Sequence, residues 1–285
     1  MTVAKELERD PGPAASPAAW RRCANNVVTA LRMLFRPPRI DSVAPWLTRR
    51  QLAVAAAVIA VVLLVGMVFV DTPMIHAAQR LPHWLVSFFN NITDYGKSGW
   101  VLWPVGLLFL ALAALPPVLP RFARCVLAAI MVRVGFLFAA VAVPGLFVTT
   151  VKRMIGRARP PVTNGANPFD FSPFIWRADY ASLPSGHSTT AFAVLVAFGT
   201  LWPRGRPLLL IYAFTIAVSR IVVTAHYPTD VLAGAVAGTV GALMVRRWFA
   251  LRRLGFAIGP DGVVHQHPGP SKRRIKAVAR DLLAP

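Results

Sequence analysis

Six stretches of this chain are apolar for long enough to decide its solvent: residues 52–70, 99–119, 125–150, 187–203, 207–225 and 229–249. About 20 consecutive apolar residues carry an α-helix across the hydrocarbon core of a bilayer. The first stretch is the cleanest, since Leu52 to Val70 holds no charge and no proline. A closed β-barrel is the other structure that can satisfy its backbone inside lipid. Barrel strands alternate in polarity, and these stretches do not. Composition agrees: 56% of the residues are hydrophobic and only 15% are charged, the charges gathering between the apolar stretches. The fold expected is therefore all-α, a polytopic membrane helical bundle of six transmembrane helices. It occupies residues 51–250, between an N-terminal tail at 1–50 and a basic tail at 251–285.

A net charge of +20 among 285 residues raises the question of nucleic acid. The placement of the cations answers it. Nine of the 31 Lys and Arg lie in residues 1–50 and nine more in 246–280, with the pairs Arg121/Arg124 and Arg204/Arg206 following the second and fourth apolar stretches. With six spans, all four regions fall on one face of the membrane. Lys and Arg accumulate on the cytoplasmic side, so both termini are expected there, against the anionic headgroups of that leaflet. With no platform of interleaved aromatic and basic residues, no nucleic-acid partner is expected. Oligomeric state is left open.

The tails are simpler. A Pro/Ala-rich stretch runs from Pro11 to Pro17. Residues 18–35 then mix Trp20, Val27, Leu31, Leu34 and Phe35 with Arg21, Arg22 and Arg32, which suits an interfacial amphipathic helix or a loosely ordered tail. The first apolar run begins some fifty residues in and is read as an uncleaved anchor rather than a signal peptide. His83 to Phe89 (HWLVSFF) reads as an interfacial segment. The part beyond Gly259 is expected to be mobile. Cys23 and Cys125 fall on the inner side or within a span, so no outer disulfide is expected.

Three short polar clusters interrupt the hydrocarbon: Lys152…Arg159-Pro160, Pro184-Ser185-Gly186-His187 and Ser219-Arg220…His226…Asp230. By the charge argument they sit on or beside the two outer connections after the third and fifth spans. The first of these connections also carries Arg153, Arg157 and Arg177, cations kept on the wrong side of the general bias. Lys152 and Arg159 are seven residues apart, so a helix shows both on one face until Pro160-Pro161 stops it. A Lys point charge and an Arg fork suit a tetrahedral oxyanion; taken alone, the cluster reads as a basic helix end. Ser185-Gly186-His187 opens the fourth span, where free backbone N–H groups attract an anion, Gly186 permits close approach and Ser185 adds a hydroxyl. A capping serine beside an interfacial histidine accounts for the same residues equally well. In the third cluster His226 and Asp230 stand at i,i+4, with Pro228 in the first turn of the last helix. A carboxylate there can hold one imidazole nitrogen and free the other. Such a pair near a membrane cavity is costly without a function, although it could also merely tie two spans together.

Together the clusters read KxxxxxxRP, PSGH and SRxxxxxHxxxD, and all eleven specified positions are present in order. This resembles the signature of the type 2 phosphatidic acid phosphatase superfamily, shared with vanadium haloperoxidases. The resemblance covers roughly 150–250. It implies that His226 is the nucleophile, forming a phosphohistidine with Asp230 orienting it, and that His187 acts as general acid and then base. It implies that Lys152, Arg159, Arg220, Ser185 and the Gly186 backbone hold the phosphoryl oxygens, with no metal and no cofactor. No obvious metal site is read in the sequence. Asp170, Asp179, Arg177, Asp94, Lys97, His265 and His267 are read as solvated or inert, and Arg133, inside the third span, as snorkelling or paired.

The function expected is a membrane lipid phosphatase acting on a lipid phosphate at the outer face of a bacterial inner membrane. The substrates in view are undecaprenyl diphosphate, lipid A phosphate, phosphatidic acid and phosphatidylglycerol phosphate. A lipid-to-lipid phosphotransferase could use the same residues. A soluble haloperoxidase does not fit six spans, and a carrier or scaffold needs no nucleophile.

Overall fold

The computed structural model describes residues 19–38, 46–115, 120–163 and 166–283. The Pro/Ala stretch at 11–17 lies outside them. Helices dominate: α1 (Ala19–Phe35), α2 (Arg49–Phe69), α3 (Asp71–Gln79), α4 (His83–Thr93), α5 (Gly99–Ala114), α6 (Arg121–Ile155), α7 (Gly186–Leu201), α8 (Arg206–Val222), α9 (Pro228–Leu251) and α10 (Lys272–Leu283). A small antiparallel hairpin joins β1 (Phe256–Ile258) to β2 (Val264–Gln266).

Among the described residues five segments are long and apolar enough to cross a membrane: 49–69, 83–114, 121–155, 203–222 and 228–251. The expected span at 187–203 is α7, a helix of only 16 residues, or about 24 Å at 1.5 Å per residue. It is short because Ser185 caps its start and Trp202-Pro203 ends it. Helix α2 starts on a capping box, Gln51 N donating to Thr48 Oγ1 at 3.2 Å and Thr48 N to Gln51 Oε1 at 2.9 Å. Most of its apolar side chains from Leu52 to Phe69 face outward, Met67 being buried, and they form a surface that a bilayer covers.

The centre of the bundle is α7, packed between α6, α8 and α9. Small residues make this contact possible, as in lipid-embedded bundles generally. A Cβ on Gly234 would stand 2.4 Å from the Ser185 carbonyl oxygen, and one on Gly238 only 2.2 Å from that of Thr189. Further along, Phe136 of α6 meets Phe249 and Phe256 edge-on. These rings seat the hairpin on the bundle end opposite the polar clusters.

The tails are more built than expected. Residues 19–35 do form a helix, and Asn26 Nδ2 donates to Ala113 O at 2.6 Å, seating α1 on α5. Beyond Gly259, β2 and α10 replace the mobile tail: Val278 is buried against Ala123 and Val126 of α6. Arg133 pairs rather than snorkels, donating to Ala129 O at 2.7 Å and to His267 O at 2.8 Å. It thereby ties the tail to the third apolar stretch.

Candidate active site

The three polar clusters meet at one end of the bundle, where α6 and α8 finish and α7 and α9 begin. One hydrogen bond makes the junction explicit: Ser185 N, at the α7 cap, donates to Asp230 O in the first turn of α9 at 2.9 Å. The close approach at Gly234 keeps these two helix starts in register.

Helix α6 does not carry both cations of the first cluster. It ends at Ile155, and Gly156 caps it in the left-handed region at φ 64. A side chain is excluded there twice over, since a Cβ would stand 1.8 Å from Ser172 O. The chain therefore turns four residues before Pro160, and Lys152 and Arg159 reach the site from different elements. Lys152 leaves the last turn of α6 and its Nζ stands 3.9 Å from where a Gly186 Cβ would be. Arg159 follows in a loop fixed by Arg159 N donating to Asp179 O at 2.8 Å. Burial pulls the Arg159 guanidinium below its usual range, with Asp230 and Asp179 acting the other way; an arginine stays charged throughout.

Arg220, buried at the end of α8, donates from Nη1 to Thr93 Oγ1 of α4 at 2.7 Å. Among the described residues the Nε groups of both Arg159 and Arg220 are buried without a hydrogen-bond partner. Buried N–H donors are rarely left unpaired, so two such guanidiniums beside a lysine and a helix N-terminus suit an anion. Ser185 is fully buried and its Oγ accepts from Ser188 Oγ at 3.2 Å. Lys152, Arg159, Arg220, His187 and His226 all lie within electrostatic range of a neighbour in this set.

His226 lies in the loop before α9, where its backbone N donates to Arg220 O at 3.2 Å. Its Nδ1 stands 3.7 Å from Asp230 Oδ2, an ion-pair distance rather than a hydrogen bond. Ser182 Oγ fills the interval: it donates to Asp230 Oδ2 at 2.5 Å and lies 3.4 Å from His226 Nδ1. Asp230 thus reaches Nδ1 of the imidazole past a hydroxyl. Burial pushes the His226 imidazole down to about 4, against the opposing pull of Asp230, so the ring is neutral at pH 7 with a lone pair available.

The sequence reading marked Arg157 only as a cation on the wrong side of the charge bias, and it did not single out Asp71. Arg157 is fully buried and donates to Asp71 at 2.7 Å, Asp230 at 2.6 Å, Thr229 at 2.8 Å and Pro168 O at 2.9 Å. Its guanidinium also stacks 4.4 Å above the Tyr227 ring. Asp71, at the start of α3, accepts from Thr229 N at 3.0 Å and Thr229 Oγ1 at 2.6 Å. The one available signal was an aspartate closing an otherwise uncharged span. Asp94 and Lys97 pair at the surface, as do Arg177 and Asp179, in keeping with solvated loop charges. Among the described residues no group of His, Cys, Asp or Glu is arranged to hold a metal ion.

Comparisons with known proteins bear on the same part of the chain. The PAP2 superfamily model matches residues 133–254. A lipid A 1-phosphatase of Rhizobium johnstonii is 35% identical over 201 residues, covering 70% of this chain and 81% of that protein. One from Rhizobium etli is 36% identical over 199 residues, covering 69% and 84%. Among solved structures, Aquifex aeolicus LpxE aligns with 62% of this chain and 94% of its own at 21% identity and a TM-score of 0.45. With a family match spanning all but the first elements of the site, and relatives matched over most of their length, the chain belongs to the PAP2 superfamily.

Proposed function

We propose that this protein is a membrane-embedded lipid phosphatase that removes a terminal phosphate from an envelope lipid, a phosphoric monoester hydrolase. One observation carries the reading: two histidines, a carboxylate and three cations converge on a helix N-terminus at one end of an otherwise apolar bundle. An amphiphile can present its phosphate there while its acyl chains stay in the bilayer. The 1-phosphate of lipid A is the first candidate, because the two Rhizobium relatives act on it and are matched over most of their length.

In the proposed reaction Nε2 of His226 attacks phosphorus and the bond from phosphorus to the lipid oxygen breaks. His187, entering the step as the imidazolium, gives its proton to that oxygen and is left neutral. Water then attacks the phosphohistidine, His187 takes a proton from it, and the N–P bond breaks to release phosphate. Lys152, Arg159, Arg220, Ser185 and the Gly186 backbone N–H hold the phosphoryl oxygens as charge spreads over them, which is most of what phosphoryl transfer requires. Asp230 and Ser182 keep the Nδ1 proton in place so that Nε2 remains the nucleophile. The sixth crossing is assigned to α7, and the site to the periplasmic face, with both termini and the basic α10 in the cytoplasm, as the cation distribution suggests.

The test is phosphate release from lipid A, undecaprenyl diphosphate, phosphatidic acid and phosphatidylglycerol phosphate in detergent with chelator present. Lipid A is expected to be hydrolysed fastest. Loss of a nucleophile costs on the order of 10³-fold or more in kcat, so His226→Ala should be nearly inert. Full activity in that variant, or loss of wild-type activity on chelation, overturns the mechanism.

A further inference from the structure

Beside the anion cradle lies a second set of charges that is not arranged for a phosphate. Asp71, Arg157 and Asp230 have side chains at 0% exposure and are joined in a row, Arg157 Nη2 to Asp71 at 2.7 Å and Nη1 to Asp230 at 2.6 Å. Four of the guanidinium's N–H groups are committed to Asp71, Asp230, Thr229 and Pro168 O, so Arg157 is not poised to receive substrate. Within this row two carboxylates and one guanidinium leave one negative charge in excess, which the coulombic pull of Asp230 on Arg159 offsets in part. A buried charge without compensation is costly. The group best placed to supply a positive charge is His226, with Nδ1 3.7 Å from Asp230.

The resting imidazole is neutral. In the reaction given above, formation of the N–P bond converts it into an N-phosphorylated imidazolium that retains its Nδ1 proton, and the four groups then sum to zero. The other charged or titratable groups facing His226 are Arg159 from the loop after α6, Arg220 from α8 and His187 from α7. Asp94 and Lys97 act one step away, on His187. Both arginines oppose the imidazolium, and Asp230 is its one adjacent carboxylate. An Arg157 that had Asp230 as its sole counterion would draw that charge away.

We propose that Asp71 is a positioning residue for this reaction: by neutralising Arg157 it leaves the charge of Asp230 to the His226 imidazolium. It also locks the start of α3 to the start of α9 through Thr229. The signature motifs contain neither Asp71 nor Arg157. The inference rests on His226 being the nucleophile.

Asp71→Asn keeps the shape and the acceptor for Thr229 N while deleting the charge. The expected result is a kcat lower by about ten- to a hundredfold, in line with one to two pK units of lost stabilisation, and a KM within about twofold of wild type. Less negative charge makes His226 harder to protonate, so the acid limb of kcat/KM moves to lower pH. Asp71→Glu restores most of both. Thr229→Val removes the Oγ1 hydrogen bond to Asp71 without changing charge and leaves the backbone N–H bond in place, and its acid limb stays at the wild-type position. A wild-type kcat and limb in Asp71→Asn, a loss confined to KM, or an equal shift in Thr229→Val each overturn the proposal. Asp71→Ser is the second neutral variant; if neither neutral variant folds while Asp71→Glu does, the role is structural and the proposal falls. His226→Ala run alongside separates the two readings. An active His226→Ala removes the nucleophile assignment. An inert one beside a wild-type-like Asp71→Asn removes only the assignment of Asp71.

Discussion

At the scale of the residue, His226 carries a consequence that can be read from pH alone. Burial sets its folded value at about 4, below the ordinary 6.5 of an unfolded histidine. Between those values the unfolded chain binds more protons than the folded one, so stability rises with pH across the window. Falling pH from 6.5 toward 4 therefore destabilises the native state, and above 6.5 the contribution is complete. The thermal midpoint of the wild-type protein should fall over this range, and His226→Gln should flatten the slope; an unchanged slope in the variant would show that the ring is not buried as described. The motif residues were legible as candidates because all eleven stand at the spacings of one signature. Asp71 and Arg157 were not, since Arg157 finds Asp71 across 86 positions and Asp230 across 73. No local pattern marks a pair that distant.

At the scale of the element, the helix ends determine where the chemistry sits. Gly156 ends α6 early, and this separates Lys152 from Arg159; read as one helix they would have shared a face and approached the phosphate from the same side. Helix α9 carries Gly234 and Gly238 on the face that meets α7. A methyl at 238 would press on Thr189 O, and overpacking of this kind costs about 1–3 kcal/mol. Gly238→Ala should lower the thermal midpoint measurably. Gly145→Ala, where a Cβ meets nothing within 4 Å, should be neutral or slightly stabilising. Equal midpoints for both variants would contradict the close α7–α9 contact. Small residues four apart in an apolar run are visible in sequence, but which neighbour they admit is not.

At the scale of the whole molecule, the two ends of the bundle differ in kind. One gathers the site residues and the loop from Arg157 to Ser182; the other gathers Arg121, Arg124, Arg204, Arg206 and the basic helix α10. In a background lacking Cys23 and Cys125, Ala178→Cys should react with an impermeant maleimide in intact spheroplasts. Val263→Cys, at the hairpin turn, should react only after permeabilisation. Labelling of both from one side would overturn the proposed topology.

By itself the sequence determined the solvent and the chemistry. Uncharged runs of about 20 residues cannot remain in water, and the three spaced motifs specify a phosphoryl-transfer inventory wherever the chain places them. The tertiary structure decided the rest. It recessed α7 and shortened it, put Ser182 between His226 and Asp230, and brought Asp71 from the far end of the first span to neutralise Arg157. The physical reason is that apolar periodicity and motif spacing are local properties of a chain. The balance of charge in a buried site is a sum over residues that meet only after the helices have packed.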